Sequence, residues 1–117
     1  MNIEEIREYC LNKKGAIECF PFDGETLVFK VKSKMFVLIP LDAIPKTIAV
    51  KCDPEKALVL REKYAYVYPA WHMNKKYWNS ILVEEMASKK LLEQWIDESY
   101  ELVVKKLTKR EQAELNL

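Results

Sequence analysis

The spacing of the apolar residues changes twice along the chain, and this change limits the possible folds more than any other feature. Near the N-terminus Ile3, Ile6 and Cys10 recur at helical intervals, and apolar residues do so again from Leu91 to Leu107. Between these two segments the apolar residues alternate or form short runs, as they do in strands. With no repeat, low-complexity segment or linker, the pattern predicts one α+β domain.

The chain is long enough for one hydrophobic core, with 117 residues of which 50% are apolar. We expect the domain to cover residues 1–107. The mostly polar residues 108–117 are expected to form a C-terminal extension that either continues the last helix or frays.

Residues 26–39 predict an antiparallel hairpin. Alternation over residues 26–31 places Leu27, Phe29 and Val31 inward, and Thr26, Val28 and Lys30 outward. The run Met35–Ile39 is apolar on both faces, which is typical of a central strand. Lys32-Ser33 lies between the two segments, and this short spacing favours a tight turn.

The remaining elements are indicated by their boundaries. A strand is expected over residues 46–51, and Asp53-Pro54-Glu55 predicts the start of a helix that runs to about Lys63. Residues 64–68 and 77–83 have the composition of extended segments. Gly15 is expected to end the first helix. Ser88 is expected to cap a long amphipathic helix near the end of the chain.

Composition excludes several classes of protein. The formal net charge is +1, from 19 Lys and Arg against 18 Asp and Glu, which excludes a uniformly basic coat protein and an acidic tail protein. Three widely spaced cysteines, Cys10, Cys19 and Cys52, favour free thiols over a disulfide scaffold. No apolar run is long enough to span a membrane and no signal peptide is evident, so we expect a cytoplasmic protein, with a monomer favoured.

The charges are segregated along the chain. Residues 26–51 hold five lysines against one aspartate, and residues 63–83 hold three lysines and no carboxylate. Residues 84–101, in contrast, hold six acidic residues against two lysines. Lys30, Lys32 and Lys34 would share one face of a straight strand and lie near the hairpin tip. They could bind phosphates, or simply form a solvated strand face that protects an edge from aggregation.

The second basic segment runs from Trp71 to Asn79 and mixes aromatic, amide and cationic side chains. Such a mixture can contact phosphates, base edges or stacked bases. The alternative is a structural turn with two buried tryptophans, in which Asn74 bonds its own backbone.

No motif supports an enzyme, a metal site or a cofactor site. His72 is the only histidine and has no cysteine or carboxylate at a metal-ligand spacing. Walker, GxGxxG, GxSxG and HExxH motifs do not occur. Glu4, Glu5 and Glu8 share one helical region, but Arg7 among them favours an ordinary solvated helix face. We therefore expect a protein without catalytic residues, metal or cofactor.

Four short segments, in this order and spacing, resemble the MmcQ/YjbR family over about residues 1–107. They are Phe20-Pro21-Phe22-Asp23, residues 26–31, Lys51-Cys52-Asp53-Pro54, and residues 72–79 with His72-Met73-Asn74-Lys75 and Trp78-Asn79. One departure is the hairpin turn, where Lys32-Ser33 stands at a position that is often glycine in the family.

The resemblance implies a fold and a function. The implied fold is CyaY-like (frataxin-like), with an antiparallel sheet backed by the N- and C-terminal helices and a short helix between strands. The implied role is that of a small bacterial DNA-binding protein of the double-wing kind. An iron-binding role like that of frataxin would need a dense acidic ridge on the first helix, and this chain offers only three glutamates there.

The charge segregation and the resemblance together predict a non-enzymatic protein whose partner is DNA. The residues expected to contact it are Lys30, Lys32, Lys34, Lys46, Lys51, His72, Asn74, Lys75 and Lys76. Among these, Asn74 is the candidate for base contacts. The alternative is a module that binds a protein or a small ligand through the aromatic-rich region from Tyr64 to Trp78.

Overall fold

Six antiparallel strands form a single sheet in the order β1-β2-β3-β4-β6-β5, as seen in the computed structural model, which describes residues 1–116. The strands are β1 (Ala16–Cys19), β2 (Thr26–Val31), β3 (Lys34–Pro40), β4 (Thr47–Lys51), β5 (Val67–Pro69) and β6 (Trp78–Leu82). The helices are α1 (Ile3–Leu11), α2 (Pro54–Lys63), α3 (Lys89–Lys105) and α4 (Lys109–Leu115), with one 3₁₀ turn at Val83–Glu85. The predicted α+β fold with an antiparallel sheet is confirmed.

The helix starts follow the local sequence signals. Ser88 caps α3 by accepting a hydrogen bond from the Leu91 backbone N–H at 3.1 Å, as the sequence predicts. Asn2 and Glu5 form a reciprocal capping box at the start of α1. The helix α2 begins at Pro54 and ends at Lys63, where it was expected to end. None of the helices within residues 1–116 is both long and apolar enough to cross a membrane.

The terminal helices α1 and α3 cover one face of the sheet, which we call the inner face. Ile6 and Cys10 of α1 and Trp95 and Ile96 of α3 pack there against buried strand residues such as Phe29. Ala57 and Leu60 of α2 belong to the same core. This arrangement, with the sheet backed by helices from both ends of the chain, is the one that the family resemblance implies.

The opposite, outer face is partly covered as well, and this corrects the expectation for Val28. Its side chain points outward as predicted, yet Val28 is 0% exposed. It packs with Leu38, Ala49, Ala70 and Trp78 in a second apolar cluster. The reason is that the chain between β5 and β6 folds back over the sheet, which local alternation of residue types cannot reveal.

A β-bulge at Phe36 reverses the face of the residues at the hairpin tip. Phe29 pairs with Val37 but Lys30 pairs with Met35, so Phe36 is an extra residue in β3. Lys34 therefore pairs with Val31, whose side chain is buried on the inner face, whereas Lys30 stays on the outer face. The strand does not run straight through, so Lys30, Lys32 and Lys34 do not share one face, but all three lie near the hairpin tip as expected.

The buried hydroxyl of Ser99 joins α3 to the sheet beside this bulge. The β3–β4 pairing consists of Val37 with Val50 and Leu38 with Ala49, and it ends where Phe36 intervenes. There the Ser99 hydroxyl donates to the Phe36 carbonyl at 2.6 Å and accepts from the Lys51 N–H at 2.8 Å. Two backbone groups left without strand partners are thus satisfied by one side chain.

The C-terminal residues form a helix of their own instead of continuing α3. Thr108 and Glu111 make a capping box that starts α4. The Gln112 side chain donates to the carbonyls of Val104 and Leu107 at 3.0 and 3.1 Å, which turns the chain back along the domain. Leu115 packs against the core next to Gly15, whose φ of +73° is one that residues with a side chain rarely adopt.

We expect Ser99→Ala to destabilise the domain by about 1–3 kcal/mol, because the buried Phe36 carbonyl and Lys51 N–H lose their partner. Urea unfolding followed by tryptophan fluorescence measures the change. Ser80→Ala is the matched control, since the Ser80 side chain makes no hydrogen bond within residues 1–116 and is half-buried. Equal midpoints for both variants would contradict this role of Ser99.

Candidate functional site

Antiparallel pairing brings several separate segments to the same end of the sheet. The register pairs Ala16 with Val31, Val31 with Lys34, and Lys51 with Trp78. The β2–β3 turn, the end of β4 and the β5–β6 loop (residues 70–77) therefore lie together at one end, which we call the hairpin end. The β1–β2 and β3–β4 loops lie at the opposite end.

Eight of the nine predicted contact residues lie at the hairpin end. They are Lys30, Lys32, Lys34, Lys51, His72, Asn74, Lys75 and Lys76. The exception is Lys46, which precedes β4 and lies at the opposite end. Its ammonium donates to the Leu41 carbonyl at 2.7 Å, and its backbone N–H points to Glu84. The expectation that Lys46 extends the basic surface is thus corrected, because β4 separates it from Lys51.

The lysines of the β2–β3 turn lie against α4. The Lys32 ammonium forms an ion pair with the Glu114 carboxylate at 2.7 Å. A hydrogen bond from the Thr108 backbone N–H, together with the charges of Lys32 and Lys34, lowers the pKa of Glu111. Lys32 also has a φ of +56°, a conformation that glycine adopts more readily and that matches the family's preference at this turn.

Positive charge is crowded around Lys51. Partial burial and the nearby charges of Lys34 and Lys106 lower the pKa of the Lys51 ammonium. Lys106 directly follows α3 as its C-terminal cap residue. It was not among the predicted residues, because its position beside the hairpin depends on how α3 packs. Like charges held together in this way favour the binding of an anion.

The β5–β6 loop is a structured turn with exposed cations. The Asn74 side-chain oxygen accepts from the Lys76 N–H at 3.0 Å, and its carbonyl accepts from Tyr77 and Trp78. The Lys75 ammonium stacks over the Trp71 ring, 4.5 Å from its centroid. Trp78 is buried but Trp71 is 62% exposed, so the alternative of two buried tryptophans is wrong for Trp71.

Arg61 holds this loop to the body of the domain, and sequence reasoning did not identify it. Its guanidinium donates to the Asn79 side-chain oxygen at 2.6 Å and also to the Lys75 carbonyl. Asn79 is 1% exposed and donates in turn to the Ala57 carbonyl at 3.2 Å. The Trp78-Asn79 motif marks one side of this contact in the sequence, but nothing in the sequence indicates that Arg61 on α2 is its partner.

A cleft lies on the outer face of the sheet, beside the β5–β6 loop. Its volume is about 720 Å³. Leu38, Ala49 and Ser80 from three neighbouring strands form its floor, and His72 lies at its wall. This outer-face cleft is compatible with the alternative function, binding of a small ligand, because its wall includes part of the aromatic-rich region.

The end of the cleft away from the β5–β6 loop is acidic. Backbone hydrogen bonds from Glu25 and Thr26 to the Asp23 carboxylate lower the pKa of Asp23. A hydrogen bond and charge repulsion from Asp42 raise the pKa of Glu25. Within residues 1–116, none of these three carboxylates lies within 4.0 Å of a Lys, Arg or His nitrogen.

The cysteines are all free, as the sequence predicts. Burial raises the pKa of the Cys10 thiol to about 12 and that of the Cys52 thiol to about 11. Both thiols are therefore protonated and weakly nucleophilic at neutral pH.

The chain is similar to proteins of one family. The YjbR family model matches residues 11–102. The uncharacterized protein YbdF of Escherichia coli O157:H7 is 42% identical over 95 residues, which cover 80% of this chain and 77% of YbdF. The uncharacterized protein YjbR of Escherichia coli K12 is 27% identical over 104 residues, which cover 89% of this chain and 88% of YjbR.

Two solved structures have the same fold. The Deinococcus radiodurans protein DR2400, with the domain DUF419, superposes with a TM-score of 0.91 at 37% identity, covering 99% of this chain and 88% of that protein. A Pseudomonas syringae protein superposes with a TM-score of 0.75 at 27% identity, covering 87% of this chain and 98% of that one.

We expect Arg61→Ala to lower the free energy of unfolding by about 1.5–3 kcal/mol, because a buried Asn79 oxygen loses a charged donor. Exchange of the amide hydrogens of residues 75–78 should also become faster, since the loop loses its anchor. Lys63→Ala, on the same helix but only stacked over Tyr64, is the control. Unchanged exchange in the Arg61 variant would show that the loop is held by other contacts.

Proposed function

This chain belongs to the YjbR family, and from that premise we propose that it is a non-enzymatic DNA-binding protein that contacts phosphates through the hairpin end of its sheet. The main support for the proposal is that the two basic segments, the β2–β3 turn and the β5–β6 loop, lie at the same end of the sheet. They are distant in sequence, and the order of the strands brings both to one end of the sheet.

In this proposal the two basic segments are the two DNA-contacting elements of a double-wing arrangement. One wing is the β2–β3 turn and the other is the β5–β6 loop. Three strand spacings separate their midpoints, which corresponds to about 14 Å. This separation is close to the ~12 Å width of the major groove of B-DNA, so the wings can reach phosphates on its two sides.

Most of the lysines at this end make no direct ion pair in the described part of the chain. Within residues 1–116, no ion pair closer than 4.0 Å involves Lys30, Lys34, Lys51, Lys75, Lys76 or Lys106. Phosphate oxygens would relieve the repulsion among Lys34, Lys51 and Lys106 that lowers the pKa of Lys51.

The polar groups of the β5–β6 loop supply the remaining contacts in this proposal. The Asn74 oxygen is used within the turn, so the group that it offers to a base edge is its amide nitrogen. Trp71 is exposed beside Lys75 and can pack on a sugar or an unstacked base. The acidic residues of α3 lie on the inner side of the sheet, where Glu98 and Glu101 share a small pocket with Lys51.

Duplex binding should depend steeply on salt. With about five phosphate contacts, affinity for a ~20-bp duplex should fall by roughly 10²–10³-fold between about 50 and 200 mM salt. The variant Lys34→Gln/Lys75→Gln/Lys76→Gln should weaken binding and reduce the salt slope by about 0.9 per lost contact, as measured by fluorescence anisotropy.

The matched control for this experiment removes three lysines at the other end of the molecule. Lys46→Gln/Lys89→Gln/Lys90→Gln changes the net charge equally but lies near the start of β4 and of α3. It should lower affinity much less than the hairpin-end variant. Equal losses in the two triple variants, or no binding by the native protein at low salt, would refute the proposed interface.

The ion pair between Lys32 and Glu114 should limit DNA binding. Glu114→Gln releases the Lys32 ammonium for a phosphate, so we expect affinity to rise about two- to fivefold and the salt slope to steepen by up to about one contact. Glu85→Gln removes one exposed charge at the opposite end of the sheet and serves as the control. An affinity that rises equally in both variants would point to net charge alone.

A further inference from the structure

The outer-face cleft has the size and lining of a small-molecule site. Its volume of about 720 Å³ lies within the ~300–1,000 Å³ range typical of such sites. Its lining is mostly apolar, and the Thr47 and Ser80 side chains on its floor make no hydrogen bond within residues 1–116. An apolar surface with a few unused hydroxyls can bury a ligand and orient it.

Large apolar side chains surround the cleft without being buried by the protein itself. Phe22, Ile44 and Trp71 are 61%, 94% and 62% exposed, and they come from three different loops. Exposed apolar side chains that converge on one concavity mark an interaction site more often than isolated ones do. A ligand in the cleft would remove part of this surface from water.

The charge around the cleft selects the kind of ligand. Asp23 and Asp42 line it, Glu25 lies beside Asp42, and no lysine or arginine is among the lining residues. The stacking of Lys75 on Trp71 shows that an ammonium group can occupy a ring at this wall. Trp71 remains largely exposed even with Lys75 in place.

We propose that the outer-face cleft binds a small organic cation with an apolar or aromatic body, such as an aryl-alkyl ammonium compound. Its body lies on the floor between Phe22 and Trp71, and its positive charge lies toward Asp42. The cation offsets the repulsion among three carboxylates that form no ion pair within residues 1–116. The acidic end of the cleft would repel phosphates, so this site is independent of the proposed DNA interface.

Three probes of similar shape test the proposal. They are (2-naphthylmethyl)trimethylammonium, the neutral 2-naphthylmethanol and the anionic 2-naphthylacetate, each titrated into the full chain and followed by ¹H–¹⁵N NMR. The cation should bind about tenfold tighter than the alcohol, and the anion more weakly than both. Shifted amides should include those of Ala43, His72 and Ser80.

Two variants test the assignment of roles. Asp42→Asn changes an exposed loop residue and should reduce the preference for the cation over the alcohol about threefold. Trp71→Ala should weaken both the cation and the alcohol. Glu62→Gln removes an exposed carboxylate on α2, away from the cleft, and should leave all three probes unchanged.

Several results overturn the proposal. These are equal binding of the alcohol and the cation, shifts confined to residues outside the cleft, or no shift with any probe at ~5 mM. Concentration-dependent dimerisation that protects the cleft would also overturn it, since a second copy would then be the occupant. Asp42→Asn should bind DNA as tightly as the native protein does. The DNA interface and the cation site can therefore fail independently of each other.

Discussion

The hydroxyl of Ser99 is the contact on which the arrangement of the hairpin end depends. It bonds to β3 and β4 at once, where the bulge at Phe36 interrupts their pairing. Because Ser99 belongs to α3, this bridge holds the helix against the sheet, and Lys106 at the end of that helix lies near Lys34 and Lys51. A buried hydroxyl with both of its hydrogen bonds satisfied thereby helps to hold three cations from three elements close together.

The sheet separates opposite charges by its connectivity. Turns at the hairpin end carry lysines, whereas the loops at the other end carry Asp23, Glu25 and Asp42. A formal net charge of +1 therefore describes a molecule with two dissimilar ends. The basic end suits a polyanion, and the acidic end of the cleft suits a small cation, so the two proposed sites select against each other's ligands.

Local signals allowed much of the fold to be predicted. The start of α2 followed from Pro54 at its first position, although the Asp53 side chain accepts no capping hydrogen bond within residues 1–116. The start of α3 followed from Ser88, which caps that helix. What was missed depends on distant contacts. The burial of Val28 under the β5–β6 loop and the Arg61–Asn79 bond join segments that are far apart in sequence, and the bulge at Phe36 lies where the distant Ser99 bonds to the sheet. Eight of the nine candidate contact residues lie at one end of the sheet, whereas Lys46 does not, because counting charges along the sequence ignores strand direction.

The most direct test of the proposed DNA interface is to map where a duplex touches the protein. Amide chemical shifts of the native chain, recorded with and without a short DNA duplex at low salt, locate the contact residue by residue. We expect changes at Lys30–Lys34, Lys51, residues 70–77 and Lys106, with little change at Lys46 or in the β1–β2 loop. Changes centred on the outer faces of α1 and α3, or on the acidic end of the cleft, would contradict it.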